Sequence, residues 1–127
     1  MRYCIDTNII IDFFRGDHTI QSKMQGNKFC INVLILCELY KGAYLAAHPK
    51  EALSFVEEFA QSVEILDFNT ESCEIFGELH AGLTKKGKQT QEIDLMIASI
   101  AIAHRVPLIT RNKKDFVNIP GLDLIEW

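Results

Sequence analysis

The sequence predicts an α/β fold built around a mainly parallel sheet. Short β-type runs alternate along the chain with longer stretches in which apolar residues recur at helical spacing. This alternation is typical of βαβ units, in which parallel strands are covered by the helices that connect them. A chain of 127 residues can build one sizeable core but hardly two. We therefore expect a single domain spanning residues 1–127.

Periodicity and end signals set the predicted elements. The strands are expected at Arg2–Ile5, Phe29–Asn32, Val63–Leu66, Pro107–Thr110 and Leu122–Glu126. The helices are expected at Thr7–Arg15, Thr19–Gln25, Val33–Ala47, Pro49–Gln61, Thr70–Lys86 and Glu92–Arg105. Pro49 suits a first helical turn, where a missing N–H has no partner to lose, and Gly87 suits a C-terminal cap.

Composition excludes several classes of protein. With 48% hydrophobic and 24% charged residues the chain has the composition of a soluble globular protein. A net charge of -4 disfavours a broad basic surface for nucleic acid, so any contact with nucleic acid must be local. No export signal is visible, and the longest apolar stretches fall short of the roughly 20 residues that span a bilayer. We expect a cytoplasmic protein with no membrane segment.

The four cysteines show no metal-binding or disulfide pattern. Cys4, Cys30, Cys37 and Cys73 form no C-x-x-C pair, and no histidine lies at zinc-ligand spacing from them. We interpret all four as buried, reduced thiols.

Four carboxylates are predicted to share one edge of the sheet. In βαβ units the carboxyl ends of the strands and the first turns of the following helices lie at the same edge, where such folds bind ligands. Asp6 ends the first strand, Asp115 follows the fourth, and Asp94 lies in the first turn of a helix. Glu38 lies five residues into its helix, about 7–8 Å along the axis. All four can therefore face one cavity.

The neighbours of these acids indicate a metal site. Glu38 and Asp94 interrupt strongly apolar runs, and no lysine or arginine is next to them or to Asp6 in sequence. A buried carboxylate costs several kcal/mol unless it is paired or binds a cation. Mg²⁺ or Mn²⁺ prefers oxygen ligands and can hold phosphate oxygens at the same time. We interpret the four carboxylates as ligands of one or two such ions.

Each acid except Glu38, which is too deep in its helix to cap it, also has a ready structural interpretation. Asp94 could favour a helix N-terminus, Asp6 could cap the helix that begins near Thr7, and Asp115 could lie in a surface turn. Asp67 also follows a strand, but it is interpreted as a helix-entry residue. The remaining acids near helix ends, Asp12, Asp17 and Glu92, are interpreted as solvated or capping residues.

Other chemistries lack their motifs. No G-x-x-x-x-G-K-[ST] or G-x-G-x-x-G segment is present, which disfavours the nucleotide-binding folds that depend on them. The histidines pair with no serine or cysteine in a nucleophile setting. His80 and His104 are therefore interpreted as helix residues with ordinary hydrogen bonds.

Four segments of the chain resemble the PIN-domain family, in order and at suitable spacing. Residues 4–12, CIDTNIIID, are similar to the opening of a PIN domain, and residues 36–42, LCELYKG, resemble its E-L-x-x-G helix. Residues 93–98, IDLMIA, resemble its D-x-x-I-A-x helix, and residues 108–116, LITRNKKDF, resemble its T-x-N-x-x-D-F segment. The end of the chain is similar to the tail of VapC-type members, so the resemblance covers essentially the whole chain.

The resemblance implies a three-layer PIN-like fold with strand order 3-2-1-4-5. It also implies Mg²⁺-dependent cleavage of RNA by a toxin, usually a homodimer, that a small antitoxin protein inhibits. The target would be tRNA, rRNA or mRNA. Asp6, Glu38, Asp94 and Asp115 carry over as catalytic metal ligands. The substrate-binding or supporting residues would be Thr7, Asn8, Thr110, Arg111 and Asn112.

The chain departs from the family pattern upstream of Glu38. Many relatives carry a serine and a threonine where Asn32 and Ile35 stand here, which leaves the hydrogen bonding of Glu38 open. The polar loop at residues 87–92 also adds Glu92 close to Asp94.

Basic residues flank two of the acids and suggest RNA contacts. Arg111 is the preferred candidate, and the lysines near Asp115 and Asp94 could bind phosphates; they are Lys85, Lys86, Lys88, Lys113 and Lys114. Lys85 and Lys86 could equally just complement a helix C-terminus.

Two rival functions remain open at this stage. One is a PIN fold without catalytic activity that only binds an antitoxin or RNA, which the intact acidic set disfavours. The other is a phosphatase of the D-x-D-x-[TV] kind, which Asn8 disfavours because it stands in place of the second aspartate.

Overall fold

The computed structural model describes residues 1–127 as five strands and six α-helices. The strands are β1 (Arg2–Ile5), β2 (Lys28–Asn32), β3 (Glu64–Leu66), β4 (Leu108–Thr110) and β5 (Leu124–Glu126). The helices are α1 (Thr7–Phe14), α2 (His18–Met24), α3 (Val33–Leu45), α4 (Pro49–Ser62), α5 (Thr70–Lys85) and α6 (Glu92–Ala103). A 3₁₀ turn covers Lys113–Asp115.

The sheet has the order β3-β2-β1-β4-β5, and every neighbouring pair is parallel. Both the α/β class and the predicted strand order are thereby confirmed. Cys4 in β1 is in register with Cys30 of β2 and Leu108 of β4, so β1 occupies the centre of the sheet. Asp6, the residue after β1, consequently lies in the middle of the carboxyl edge, whereas Asp67 follows the edge strand β3.

The core forms between the sheet and its helices. The central strands contribute side chains with no exposed surface, among them Ile5 and Ile31, as expected for strands covered on both faces. Helix α6 buries seven of its twelve residues, which makes it apolar almost all round. Such burial stabilises by up to about 1.5–3 kcal/mol per large aliphatic side chain. The first turn of α6, which carries Asp94, is thereby fixed to the core through Leu95.

Several predicted boundaries were wrong by one or two residues. Helix α1 ends at Phe14 because Gly16 follows with a φ of 81°, a conformation that glycine adopts readily. Strand β5 begins at Leu124, two residues later than predicted, because the chain still turns at Gly121, which has a φ of 82°. Pro107 falls outside β4, since proline has no N–H to donate to a ladder.

The interpretation of the cysteines was half right. All four thiols are free, and Cys4 and Cys30 are buried between β1 and β2. Cys37 and Cys73 are exposed on α3 and α5. Their apolar neighbours in sequence could not reveal this, because a helix turns consecutive residues to different faces. None of the helices has the length and apolar character needed to cross a membrane.

Candidate active site

The four predicted carboxylates come from four different elements at the carboxyl edge of the sheet. Asp6 follows β1 and caps α1, and Glu38 lies in the second turn of α3. Asp94 lies in the first turn of α6, and Asp115 closes the 3₁₀ turn that follows β4. The cap that was the alternative interpretation of Asp6 is therefore present as well. This cap fixes the carboxylate without excluding a second role.

Asp6 is the most firmly held of the four. It is only 8% exposed, and its two carboxylate oxygens have different donors. Oδ1 accepts a 2.8 Å hydrogen bond from the backbone N–H of Thr7, and Oδ2 accepts a 2.8 Å bond from the Thr110 hydroxyl. Thr110 is itself buried and accepts from the backbone N–H of Asn112 at 3.0 Å. The orientation of Asp6 is set before any ligand binds.

Glu38 is held by α1 rather than by its own helix. Its Oε1 accepts a 2.7 Å hydrogen bond from the Thr7 hydroxyl, 31 residues away in sequence. Asn32, at the position for which the family resemblance implies a serine, caps α3 by accepting from the N–H groups of Leu34 and Ile35 at 3.0 Å. The departure upstream of Glu38 therefore leaves its hydrogen bonding intact, because Thr7 provides it.

Burial and neighbouring carboxylates disfavour the ionised form of Asp94. Its burial, together with the negative charges of Asp115, Asp6 and Glu38, raises the pKa of Asp94 to about 6. Burial also raises the pKa of Asp6, although the hydrogen bonds from Thr110 and Thr7 oppose that increase. Geometry joins two of the four directly, because the backbone N–H of Thr7 donates to Asp6 and the Thr7 hydroxyl donates to Glu38. That all four carboxylates form one cation site stays a prediction.

The donor set fits a divalent cation. None of the four carboxylates forms an ion pair, so no lysine, arginine or histidine of the chain neutralises their charges by direct contact. All donors are oxygens, the type that Mg²⁺ and Mn²⁺ prefer. No three side chains approach closely enough to hold an ion directly as they stand. Mg²⁺ commonly keeps several waters and is held by only one or two carboxylates, so binding of Mg²⁺ at this site stays a prediction.

The other predicted site residues differ in their surroundings. Arg111 forms an ion pair with Asp12 at 2.7 Å and a longer one with Asp17 at 3.5 Å. Sequence reasoning missed this clamp, because Asp12 and Asp17 are about a hundred residues away from Arg111 along the chain. Asn8 is exposed on α1. RNA contact by Asn8, Arg111 or Asn112 stays a prediction.

The competing acids and histidines have structural surroundings. Asp17 caps α2 by accepting from the N–H groups of Thr19 and Ile20, as predicted. The N-cap of α5 is Asn69, and Asp67 precedes it with its carbonyl oxygen 3.0 Å from Nε2 of His104. His80 lies 3.8 Å from Glu92. None of these groups joins the acidic site.

The family comparison agrees with the fold. The PIN-domain model matches residues 3–122, and the chain belongs to the PIN-domain family. It is 33% identical to ribonuclease VapC2 of Rickettsia felis over 134 residues, covering 100% of this chain and 98% of that protein. It is 29% identical to the tRNA(fMet)-specific endonuclease VapC of Salmonella typhimurium over 130 residues, with the same coverage.

A solved structure extends the comparison to three dimensions. The crystal structure of VapBC2 from Rickettsia felis, bound to a DNA fragment of its promoter, superposes with a TM-score of 0.91. The identity is 31%, and the alignment covers 100% of this chain and 99% of that one. This chain therefore has the VapC-type PIN architecture from end to end.

Proposed function

We propose that this chain is a cytoplasmic endoribonuclease that cleaves RNA phosphodiester bonds with Mg²⁺ and acts as the toxin of a toxin–antitoxin pair. The observation that carries the proposal is the uncompensated carboxylate cluster, with the pKa of Asp94 raised to about 6. Relatives that match the whole chain are named ribonuclease or endonuclease, which supports RNA as the substrate. Mn²⁺ would serve in place of Mg²⁺, because the donors are oxygens.

The residues that would hold the cation are Asp6, Glu38, Asp94 and Asp115. A bound divalent ion would supply an activated water and charge neutralisation at the phosphate. The chain itself contributes orientation, because Thr110 and Thr7 fix the carboxylates of Asp6 and Glu38. It also contributes desolvation at Asp94, which strengthens the attraction between that carboxylate and a cation.

An apolar groove beside the site supports an antitoxin as partner. It has a volume of about 400 Å³ between α1, α3 and α4, and eight of its eleven lining residues are hydrophobic. Glu38 lies at the same groove, and Phe55 in its wall is 45% exposed. An antitoxin arm could fold into this groove with apolar side chains and present a cation to Glu38. We further propose that the chain acts as a homodimer.

The test is an RNA cleavage assay on the purified chain. A mixed RNA pool and a phosphomonoester are incubated with Mg²⁺, with Mn²⁺ and with chelator. We expect cleavage of RNA with either metal, loss of cleavage with chelator, and no release of phosphate from the monoester. Cleavage of the monoester alone would favour the phosphatase, and cleavage of neither substrate would favour a binding module.

The toxin role is tested separately in cells. Expression of the chain alone should slow growth, and co-expression of the small protein encoded beside it should relieve the effect. Absence of both a growth effect and a co-purifying partner would contradict the toxin role and leave a free-standing nuclease.

A further inference from the structure

A second, polar cleft lies between the end of α5 and the start of α6. Its volume is about 360 Å³, within the range of roughly 300–1,000 Å³ that is typical of ligand sites. Six of its eight lining residues are polar or glycine, and the two apolar ones, Leu83 and Leu95, are buried. The lining residues are His80, Leu83, Thr84, Gly87, Lys88, Gln89, Thr90 and Leu95.

The segment around this cleft is locally basic in an acidic protein. Residues 79–91 contain three lysines and one histidine but no carboxylate, whereas the whole chain has a net charge of -4. Lys85, Lys86 and Lys88 are exposed, and none of them forms an ion pair. Unpaired ammonium groups beside a polar cleft attract a phosphate-bearing ligand. The nearest acid along the chain, Glu92, faces His80 at 3.8 Å.

The cleft adjoins the acidic site along the chain. Leu95 lines the cleft and directly follows Asp94, so the Cα atoms of the two residues are about 3.8 Å apart. A contact in space supports this proximity, because His80 of the cleft lies 3.8 Å from Glu92, which shares the first turn of α6 with Asp94. The cleft is therefore in a position to receive the nucleotide next to a scissile phosphate held at the carboxylates. Hydroxyl and amide groups suited to a base edge are already there on Thr84, Thr90 and Gln89.

We propose that this cleft is the subsite for the nucleotide that flanks the scissile phosphate. Lys88 binds the phosphate of that nucleotide, and Gln89 with the two threonines hydrogen-bonds its base. The subsite rests on the proposed ribonuclease function and extends it, because it gives the enzyme a preference for the base at one position. The remainder of the basic segment attracts RNA without regard to sequence.

The test combines binding with cleavage. Binding of a fluorescent single-stranded RNA hexamer is measured on the chain carrying Asp94→Asn, so that the probe is not consumed. Cleavage of hexamers randomised around the scissile bond is measured on the chain with Asp94 intact. Each property is compared for Lys88→Ala and Gln89→Ala. The matched controls are Lys50→Ala and Gln61→Ala, which remove exposed residues of the same types from α4.

We expect Lys88→Ala to weaken hexamer binding and to raise KM, each about fivefold to tenfold, while kcat stays unchanged. The slope of the logarithm of the binding constant against the logarithm of the salt concentration should fall by about one. Gln89→Ala should change the preferred base at one flanking position, and both controls should behave as the parent chain. Equal effects of Lys88→Ala and Lys50→Ala, with an unchanged base preference in Gln89→Ala, would overturn the subsite. Binding of an acidic peptide in place of RNA would also overturn it.

The two proposals fail in different ways. Lysine-dependent RNA binding without any Mg²⁺-dependent cleavage would contradict the ribonuclease function while leaving an RNA-binding cleft. Cleavage that is indifferent to Lys88 and Gln89 would contradict the subsite alone.

Discussion

Asp6 and Asp94, two carboxylates of the acidic site, differ in how the protein holds them. Asp6, after β1, is buried and accepts hydrogen bonds from Thr7 and Thr110. Asp94, on α6, accepts none from any side chain, and its pKa is raised to about 6 by burial and by its acidic neighbours. Asp6 is thus oriented in advance, while the negative charge of Asp94 is poorly compensated. A cation that binds between them would meet fixed ligands on one side and a poorly compensated charge on the other.

The largest expected effect is the loss of RNA cleavage when either Asp6 or Asp94 loses its negative charge. Asp6→Asn and Asp94→Asn should each reduce Mg²⁺-dependent RNA cleavage by roughly two orders of magnitude or more, because each removes a negative ligand from the cation. Asp67→Asn is the matched control, since Asp67 also follows a strand but lies at the edge of the sheet. Initial rates on one RNA substrate provide the comparison. Near-wild-type cleavage by both site variants would remove these residues from the mechanism.

The next effect concerns the hydrogen bonds that orient the carboxylates of Asp6 and Glu38. Thr110→Val should lower the free energy of unfolding by about 1–3 kcal/mol, because it leaves the buried Asp6 oxygen without its donor. Thr7→Val should cost less, about 0.5–1.5 kcal/mol, since its acceptor Glu38 is only half-buried. Urea unfolding of both variants measures the difference. A larger loss of unfolding free energy in Thr7→Val than in Thr110→Val would contradict this order.

The raised pKa of Asp94 should be measurable in the pH dependence of the free energy of unfolding. The folded-state pKa of Asp94, about 6, exceeds its unfolded value of about 3.9, so ionisation of Asp94 destabilises the folded chain. The cost is absent below pH 4, grows as the pH rises to 6, and persists above it. Without metal, Asp94→Asn should therefore be more stable than wild type at pH 7, by about 1 kcal/mol once solvent screening is allowed for.

Asp6→Asn provides the contrast for that experiment. The amide can accept at only one of the two atoms that now receive hydrogen bonds, so this variant should lose stability at pH 7. Unfolding by urea in chelator at pH 4, 5, 6 and 7 measures both. Equal responses of the two variants would show that the two aspartates do not differ in the way described.

The smallest effect is expected at the Arg111 clamp. Arg111→Ala removes ion pairs to Asp12 and Asp17 that are partly exposed, so it should cost about 0.5–1 kcal/mol. If Arg111 only ties the loop after β4 to α1 and α2, KM for RNA should stay close to the wild-type value. A clear rise in KM without loss of stability would indicate direct contact with the substrate instead.

The sequence was informative where function follows from strand ends and periodicity. Asp6, Asp94 and Asp115 could be assigned to one edge because parallel strands bring their carboxyl ends together. The Arg111 clamp could not be predicted, because its partners lie about a hundred residues away and depend on how α1 and α2 pack. The exposure of Cys37 was also missed, since α3 is apolar over most of its first turns and its buried face cannot be read from the residue types alone.

The most direct test is the dependence of thermal unfolding on Mg²⁺. Wild type, Asp94→Asn and the control Asp67→Asn are unfolded in chelator and in millimolar Mg²⁺. A ligand that binds only the folded state raises Tm according to its affinity, so Mg²⁺ should raise the Tm of wild type and Asp67→Asn more than that of Asp94→Asn. Equal Mg²⁺ shifts in all three proteins, with a metal-free Asp94→Asn that is less stable than wild type, would contradict the account and make Asp94 a helix-terminus residue with no part in a cation site.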